Sequence, residues 1–341
     1  MSATRITCVI PGLHFRQQSE THPAQTAIEQ PKCLLRILGR SEKLIHPQDK
    51  FLDPSQLIAD KFFEERSVAT AYVNYIGETG RIQNTGYLMR ADPVNFLVDG
   101  DRLHIVAAHA LDIKEHEAID LLQSIREHFS DVNWRIHATP TSHWYLELEQ
   151  APRIICQSIQ QAQAMDLMQA LPQGPDGPRW RSIINEIQML LHQHRVNTLR
   201  EEQGLFPING YWFWGGGNMI DTKSAPWTDV FGDGIFMLGL ARLGGKQLKP
   251  AQDLNLKNLA DSQRIFFVDQ SLYTAESRTS FTAWLQALKA IEATLIIPLQ
   301  TAAKKGRIEL EIHCEEVCYR LLPQHWRAWW KPAIRLSELY S

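Results

Sequence analysis

The residues best placed to do chemistry lie in one stretch. A helix is predicted over Arg179 to Gln203, with Trp180, Ile183, Ile184, Ile187, Leu190 and Leu191 on one face. Continuing that face by i+4, i+7 and i+11 lands on His194, Asn197 and Glu201. Polar groups on a stripe that is apolar one turn earlier need partners, so this end of the helix either caps neighbouring backbone or lines a cavity. Arg200 beside them offers a fork for an anion.

The next segment, Asn209-Gly-Tyr-Trp-Phe-Trp-Gly-Gly-Gly-Asn218, reads as a strand from Pro207 to Trp214 that empties into Gly215, Gly216 and Gly217. Three glycines permit positive φ and a close backbone approach, and amides exposed there would receive an anion. Neither a Walker loop nor a dinucleotide fingerprint is present. Tyr211, Trp212 and Phe213 read as core. Helix end and strand end are therefore expected to share one pocket, built from His194, Asn197, Arg200, Asn209, Gly215 to Gly217 and Asn218, with Asp92 and Asn95 closing its rim. Such donors suit a small anionic metabolite.

Other clusters carry less. His192 and His194 point apart on a helix, and His313, Cys314 and Cys318 have no second ligand pair, so no metal site is expected. Asp99 and Asp101 flank a hairpin glycine, while Asp229 and Asp233 flank Phe231-Gly232 with nothing to complete a cation site. No nucleophile elbow occurs, and no cofactor is expected. The segment His325-Trp326-Arg327-Ala328-Trp329-Trp330-Lys331 reads as a docked terminal element whose cations reach water; exposed, Trp326, Trp329 and Trp330 would form a surface for a protein partner.

These residues must be positioned by a chain of 341 residues, 44% hydrophobic and 21% charged, which is a globular composition of two domains or one domain with an insert. A net charge of −3 supplies no field for a polyanion, so nucleic acid is not an expected partner. Five cysteines at irregular spacing fit a reducing compartment, taken as the cytoplasm. Neither a targeting segment nor a membrane span is expected, because the longest apolar runs fall far short of about 20 residues.

Along the chain, Ile6 to Ile10 reads as a strand ending in Pro11-Gly12, followed by a helix near Thr26 to Leu38 and two helical pieces within Leu57 to Ile76. A hairpin across Asp99-Gly100-Asp101, a helix from Lys114 to Phe129 and strands Trp134 to Ala138 and His143 to Leu148 make an α+β unit. Beyond Gly234 to Leu243, strand Arg264 to Val268, helix Ser280 to Ala293 and strand Arg307 to Cys314 alternate as in an α/β layer.

Leu190-Leu-His-Gln-His194-Arg-Val-Asn197-Thr-Leu-Arg200, with Gly204, Pro207-Ile-Asn209 and Trp212-Phe-Trp-Gly215-Gly-Gly217, resembles archaeal-type cofactor-independent phosphoglycerate mutases. Together with Arg90-Ala-Asp92-Pro93-Val94-Asn95 and Asn185-Glu-Ile-Gln188, it is more similar to bacterial RpfE-type proteins, mutase-like or regulatory. The resemblance is concentrated in residues 86 to 245. It implies an alkaline-phosphatase-like α/β core, split in sequence, with an inserted α+β cap-like region: core segments 1–85 and 207–341, insert 86–206. It also implies two divalent metals and a transiently phosphorylated Ser. The chain departs from that pattern in the metal segments. Pro11-Gly12 stands where an Asp-Gly turn belongs, Asp269-Gln-Ser-Leu-Tyr-Thr lacks a His, and Glu311-Ile-His313-Cys314-Glu315 replaces Asp-His-Ser/Thr. The expectation is a catalytically degenerate, regulatory relative that binds a small anionic metabolite, phosphorylated or not. The alternatives are an active phosphomutase or phosphatase with rearranged ligands, and an interaction scaffold without a small ligand.

Overall fold

Thr4-Arg-Ile-Thr-Cys-Val9 buries five of its six side chains, the mark of a strand covered on both faces. It is the central strand of a seven-stranded sheet. The computed structural model describes residues 3–15, 29–46, 53–64, 68–81, 86–99, 102–139, 143–162, 165–218, 224–256, 263–303, 308–328 and 330–340. In chain order the elements begin with β1 (Thr4–Val9), α1 (Lys32–Arg40), β2 (Glu42–Ile45), α2 (Pro54–Phe62), α3 (Thr70–Thr79), β3 (Tyr87–Asp99), β4 (Arg102–Ala107) and α4 (Ala108–Leu111). There follow α5 (Glu115–His128), β5 (Trp134–Ala138), β6 (Trp144–Leu148), α6 (Ile159–Ala162), α7 (Leu167–Ala170), α8 (Gly177–His192), α9 (Arg195–Glu202) and β7 (Gly210–Asn218). The chain continues with β8 (Asp229–Phe231), α10 (Ile235–Leu243), β9 (Leu248–Lys249), β10 (Arg264–Val268), α11 (Ala275–Thr279), α12 (Phe281–Ile291), α13 (Ile297–Ala303), β11 (Ile308–His313) and β12 (Val317–Leu321).

Two units divide the chain, one of residues 1–66 and 223–341, the other of residues 67–222. The first holds the sheet ordered β2-β12-β11-β1-β10-β8-β9, in which β11, β1, β10, β8 and β9 are parallel, β12 runs against them, and β2, antiparallel to β12, runs with them again. Ile6, Cys8, Ile265, Phe267, Leu310 and Ile312 face Leu34 and Leu35 of α1 and Trp284, Leu285 and Leu288 of α12 in one core. Period-2 alternation sends Phe266 to the other face, where Phe62 of α2 meets it edge-on at 5.2 Å. The mixed α/β class expected from the sequence is what this unit shows.

The C-terminal segment docks on this unit. Trp326 Nε1 donates to Ile308 O at 2.9 Å, Arg40 Nη1 donates to Trp326 O at 3.2 Å, and Phe15 N donates to Leu339 O at 2.7 Å. Gly39 sits inside α1, and a Cβ there would strike the carbonyl of Pro332. Trp330 is 68% exposed; Trp329, residues 26–28 of the helix expected from Thr26, and the glycine of the Asp99 hairpin lie outside the described residues, while Glu29 to Pro31 are not helical and α1 starts only at Lys32.

The second unit is built on β3, which at 13 residues is long enough to pair with three strands. β4 takes its C-terminal half, β6 its N-terminal end and β7 most of its length, while β5 hangs on β6. Leu121, Leu122 and Ile125 of α5 and Trp180, Ile184 and Ile187 of α8 pack on one face of this sheet. The sequence places α3 and β7 with the core segments. They belong here, since β7 is hydrogen-bonded along β3 and α3 lies directly on β7.

Deleting residues 325–341 removes these anchors and should lower the stability of the full chain by at least about 2 kcal/mol in a denaturant melt. An unchanged midpoint would show that the segment is not docked.

Candidate functional site

The long helix predicted from Arg179 breaks in two. α8 ends at His192, and His194 adopts extended backbone angles to cap α9, its Nδ1 accepting from Val196 N at 3.2 Å. The break has a cause in Asn197, whose side chain competes with the helix ladder. Its Nδ2 donates to Leu191 O at 2.8 Å and Ile208 O at 2.7 Å, and its Oδ1 accepts from Ile208 N at 2.7 Å. That amide ties the end of α8 to the segment entering β7. His194 Nε2 lies 2.9 Å from Ser124 Oγ.

Arg200 is 1% exposed and fully engaged. Nη1 reaches both oxygens of Glu117 at 3.0 and 2.9 Å, Nη2 donates to Leu111 O at 2.5 Å, and Nε donates to Phe206 O at 2.8 Å. Nothing in the sequence near Arg200 announces Glu117, which stands 83 positions earlier in the first turn of α5. Asn209 extends the sheet with its side chain, accepting from Phe96 N at 2.6 Å and donating to Phe96 O at 3.0 Å, while Asn95 Nδ2 donates to Pro207 O at 2.8 Å. Asp92 is equally committed. Its Oδ1 accepts from Arg90 and its Oδ2 from Trp214 Nε1 at 2.7 Å, with the Arg90 guanidinium 5.3 Å from the ring centroids of both Tyr145 and Trp214.

The three glycines lie within β7 rather than after it. Leu88 pairs with Gly217 and Arg90 with Trp214, so Gly215 and Gly216 oppose Met89 alone in a bulge, and Gly215 takes the left-handed φ of 65° that such a bulge needs. They also allow close packing. A Cβ on Gly217 would come 2.5 Å from Ala69 Cβ, one on Gly215 3.2 Å from Thr70 Cβ, and one on Gly216 would strike Tyr87 Oη. The expected shared pocket is therefore corrected. Asn95, His194, Asn197, Arg200 and Asn209 gather where the chain enters β7, whereas Gly215 to Asn218 lie roughly 16 to 26 Å along the strand at about 3.3 Å per residue.

A second group of polar residues gathers in the first unit, at the carboxyl ends of the parallel strands, the edge where open α/β sheets take ligands. After β1, Gly12 (φ 77°) donates its amide to Glu315 Oε1 at 2.9 Å and Oε2 at 3.2 Å, and its carbonyl accepts from Trp284 Nε1 at 2.9 Å. Glu315 follows β11. After β10, Asp269 N donates to Val9 O at 3.1 Å, and Asp269 Oδ1 accepts from Ser271 N at 2.9 Å. Arg278 lies 4.8 Å from the ring centroid of Tyr273. Burial raises the Tyr273 pKa, Arg278 opposes the rise, and the carboxylates of Glu315 and Asp53 add to it. Burial likewise raises Asp53, whose side chain caps α2 through Ser55 N at 2.8 Å. The sequence reading quotes Asp269 and Glu315 only as departures from a motif. Adjacency of β10, β1 and β11 is what joins them.

These residues do not fit the two-metal centre that the resemblance implies. Among the described residues no group of three or more His, Cys, Asp or Glu is arranged to hold a metal ion. His313 is 6% exposed, with Nε2 3.4 Å from Glu311 Oε2 and 3.8 Å from Cys318 Sγ, and its ring stacks on His46. Its Nδ1 is buried without a hydrogen-bond partner.

No protein-family model matches the sequence, and comparison with curated proteins gives no match. Among solved structures, the chain is similar to the PH0037 protein from Pyrococcus horikoshii, with a TM-score of 0.53 and 10% identity over 94% of this chain and 88% of that one. It is also similar to the cofactor-independent phosphoglycerate mutase from Thermoplasma acidophilum DSM 1728, with a TM-score of 0.43 and 15% identity over 94% and 89%. The former likeness shows a shared fold. Among the described residues no helix is long and apolar enough to cross a membrane.

Two predictions follow from the polar groups. Arg200→Ala strands a buried carboxylate and two carbonyls, and should destabilise the chain by about 3–5 kcal/mol in urea titration; a loss below about 1 kcal/mol would show that Glu117 is not desolvated. His313 has its pKa lowered below the ordinary 6.5, chiefly by burial and against the pull of Glu311. Below pH 6.5 the unfolded chain therefore binds the proton more readily than the folded one, and the stability contributed by the neutral ring is lost as pH falls from 6.5 through the folded pKa. His313→Gln should flatten the decline of the urea midpoint between about pH 6.5 and pH 5.

Proposed function

We propose that this chain is a phosphoglycerate mutase-like protein of the alkaline-phosphatase-like class that has lost two-metal phosphotransfer and acts as a regulatory binder of a small anionic metabolite. The observation that carries this reading is the Glu315 carboxylate on the Gly12 amide. At the turn where the resemblance calls for a metal-binding Asp-Gly pair, the chain has Pro11-Gly12, and its own side chain bonds the backbone there. Asp269 stands on the neighbouring strand with no His in the segment after it.

Two features of the same sheet edge favour an anion. Arg278 brings positive charge, and α10 starts after β8 with Gly234 as an N-cap that provides no side-chain bond to the first-turn amides. A phosphorylated three-carbon acid is the ligand class that the resemblance implies.

Thermal melts with 3-phosphoglycerate, with and without chelator, test the proposal. Binding should raise the melting temperature by a few degrees whether or not chelator is present, and Arg278→Ala should abolish the shift. Two tightly held metal ions per chain, with chelator-sensitive conversion of 3- to 2-phosphoglycerate, would overturn it.

A further inference from the structure

The second unit carries a groove that none of the residues above uses. It runs along β5, the outer strand of its sheet, encloses about 650 Å³, and is walled by Tyr75, Trp134 and His137 together with Arg126, Arg135 and Glu147. That volume is ordinary for a small-molecule site.

Arg135 on β5 stands directly opposite Glu147 on β6, on the same face of the sheet. Cross-strand neighbours of opposite charge usually close on each other. Here no hydrogen bond or ion pair joins the two among the described residues, and Glu147 lies near enough to His137 to oppose the lowering of its pKa by burial. Arg126 reaches the groove from α5 with Nε and Nη2 fixed on Ile136 O at 3.1 and 2.8 Å, which holds a second positive charge in place. His137 packs against Tyr145 at 5.9 Å and meets Tyr75 edge-on at 5.6 Å, so the aromatic wall is stiff.

We propose that this groove binds a free aromatic α-amino acid, its carboxylate on Arg135, its ammonium on Glu147 and its ring against Tyr75 and His137, which share that face of the sheet. Two adjacent, unbridged charges of opposite sign complement a zwitterion. A lone phosphate would meet Glu147, and a lone amine would meet Arg135 and Arg126. The groove lies in a different unit from the sheet edge discussed under the proposed function, so the two readings stand or fall separately.

Titration calorimetry of the full chain with L-phenylalanine and L-tryptophan tests the proposal. One of them should bind saturably at one site per chain, while 3-phenylpropionate and phenethylamine, each lacking one charge, should bind at least about tenfold more weakly. Arg135→Gln and Glu147→Gln should each weaken binding by a similar factor and leave the ligand-free melting temperature unchanged, because no ion pair between the two is lost. The proposal is overturned if neither amino acid binds at up to about 10 mM, if the single-charge analogues bind as well as the amino acid, or if adenosine monophosphate binds more tightly than both amino acids.

Discussion

The second unit depends on one desolvated cation. A guanidinium taken out of water is tolerable only when its donors are met, and Arg200 meets that demand with both oxygens of Glu117 and the carbonyls of Leu111 and Phe206. Those four acceptors belong to α4, the first turn of α5 and the segment after α9. A single side chain thus sets where three pieces of chain meet, and with them the register at which β7 enters alongside β3. Asn197 does the same for the neighbouring gap through Leu191 and Ile208.

Here polar side chains on a buried stripe serve backbone. The break between α8 and α9 and the stretch from Gln203 to Asn209 are irregular chain beside a packed core, so their amides and carbonyls have no ladder to join and must be paired from elsewhere. Asn197, Arg200 and Asn95 supply those pairs, while His194 caps α9 and Asn209 bonds the Phe96 backbone on β3. The motif that most resembles a ligand-binding signature is therefore also the motif that the local fold requires. At the opposite end of β7, the glycines answer a different demand, the close seating of α3 on the sheet.

Elements with a clean period were legible from sequence: the β3–β4 hairpin, α5, β5, β6, β10 and β11 all lie where alternation or helical spacing places them. The body of α8 was legible for the same reason, its apolar residues recurring at i, i+3, i+4 and i+7. Its end was not, because a side chain bonding to backbone eleven residues away leaves no mark on the apolar period. The glycine run was misplaced because a bulged strand interior and a loop call for the same residue type. The shared pocket failed on strand length, which carries the two ends of β7 apart whatever the chemistry of each. At the sheet edge, Asp269 and Glu315 come together only through strand order, and that order is a property of the whole sheet.

The contact between Glu315 and Gly12 bears on what such an edge can recognise. Both partners belong to one chain, so the carboxylate is held beside the amide at an effective concentration that a covalent tether sets and dilution cannot lower. To reach that amide, a free anion must displace a resident competitor, and it binds only by the margin of its affinity over the tethered group. For any anion, the turn after β1 is therefore a threshold: displacing Glu315 takes a ligand that also engages groups beyond its reach.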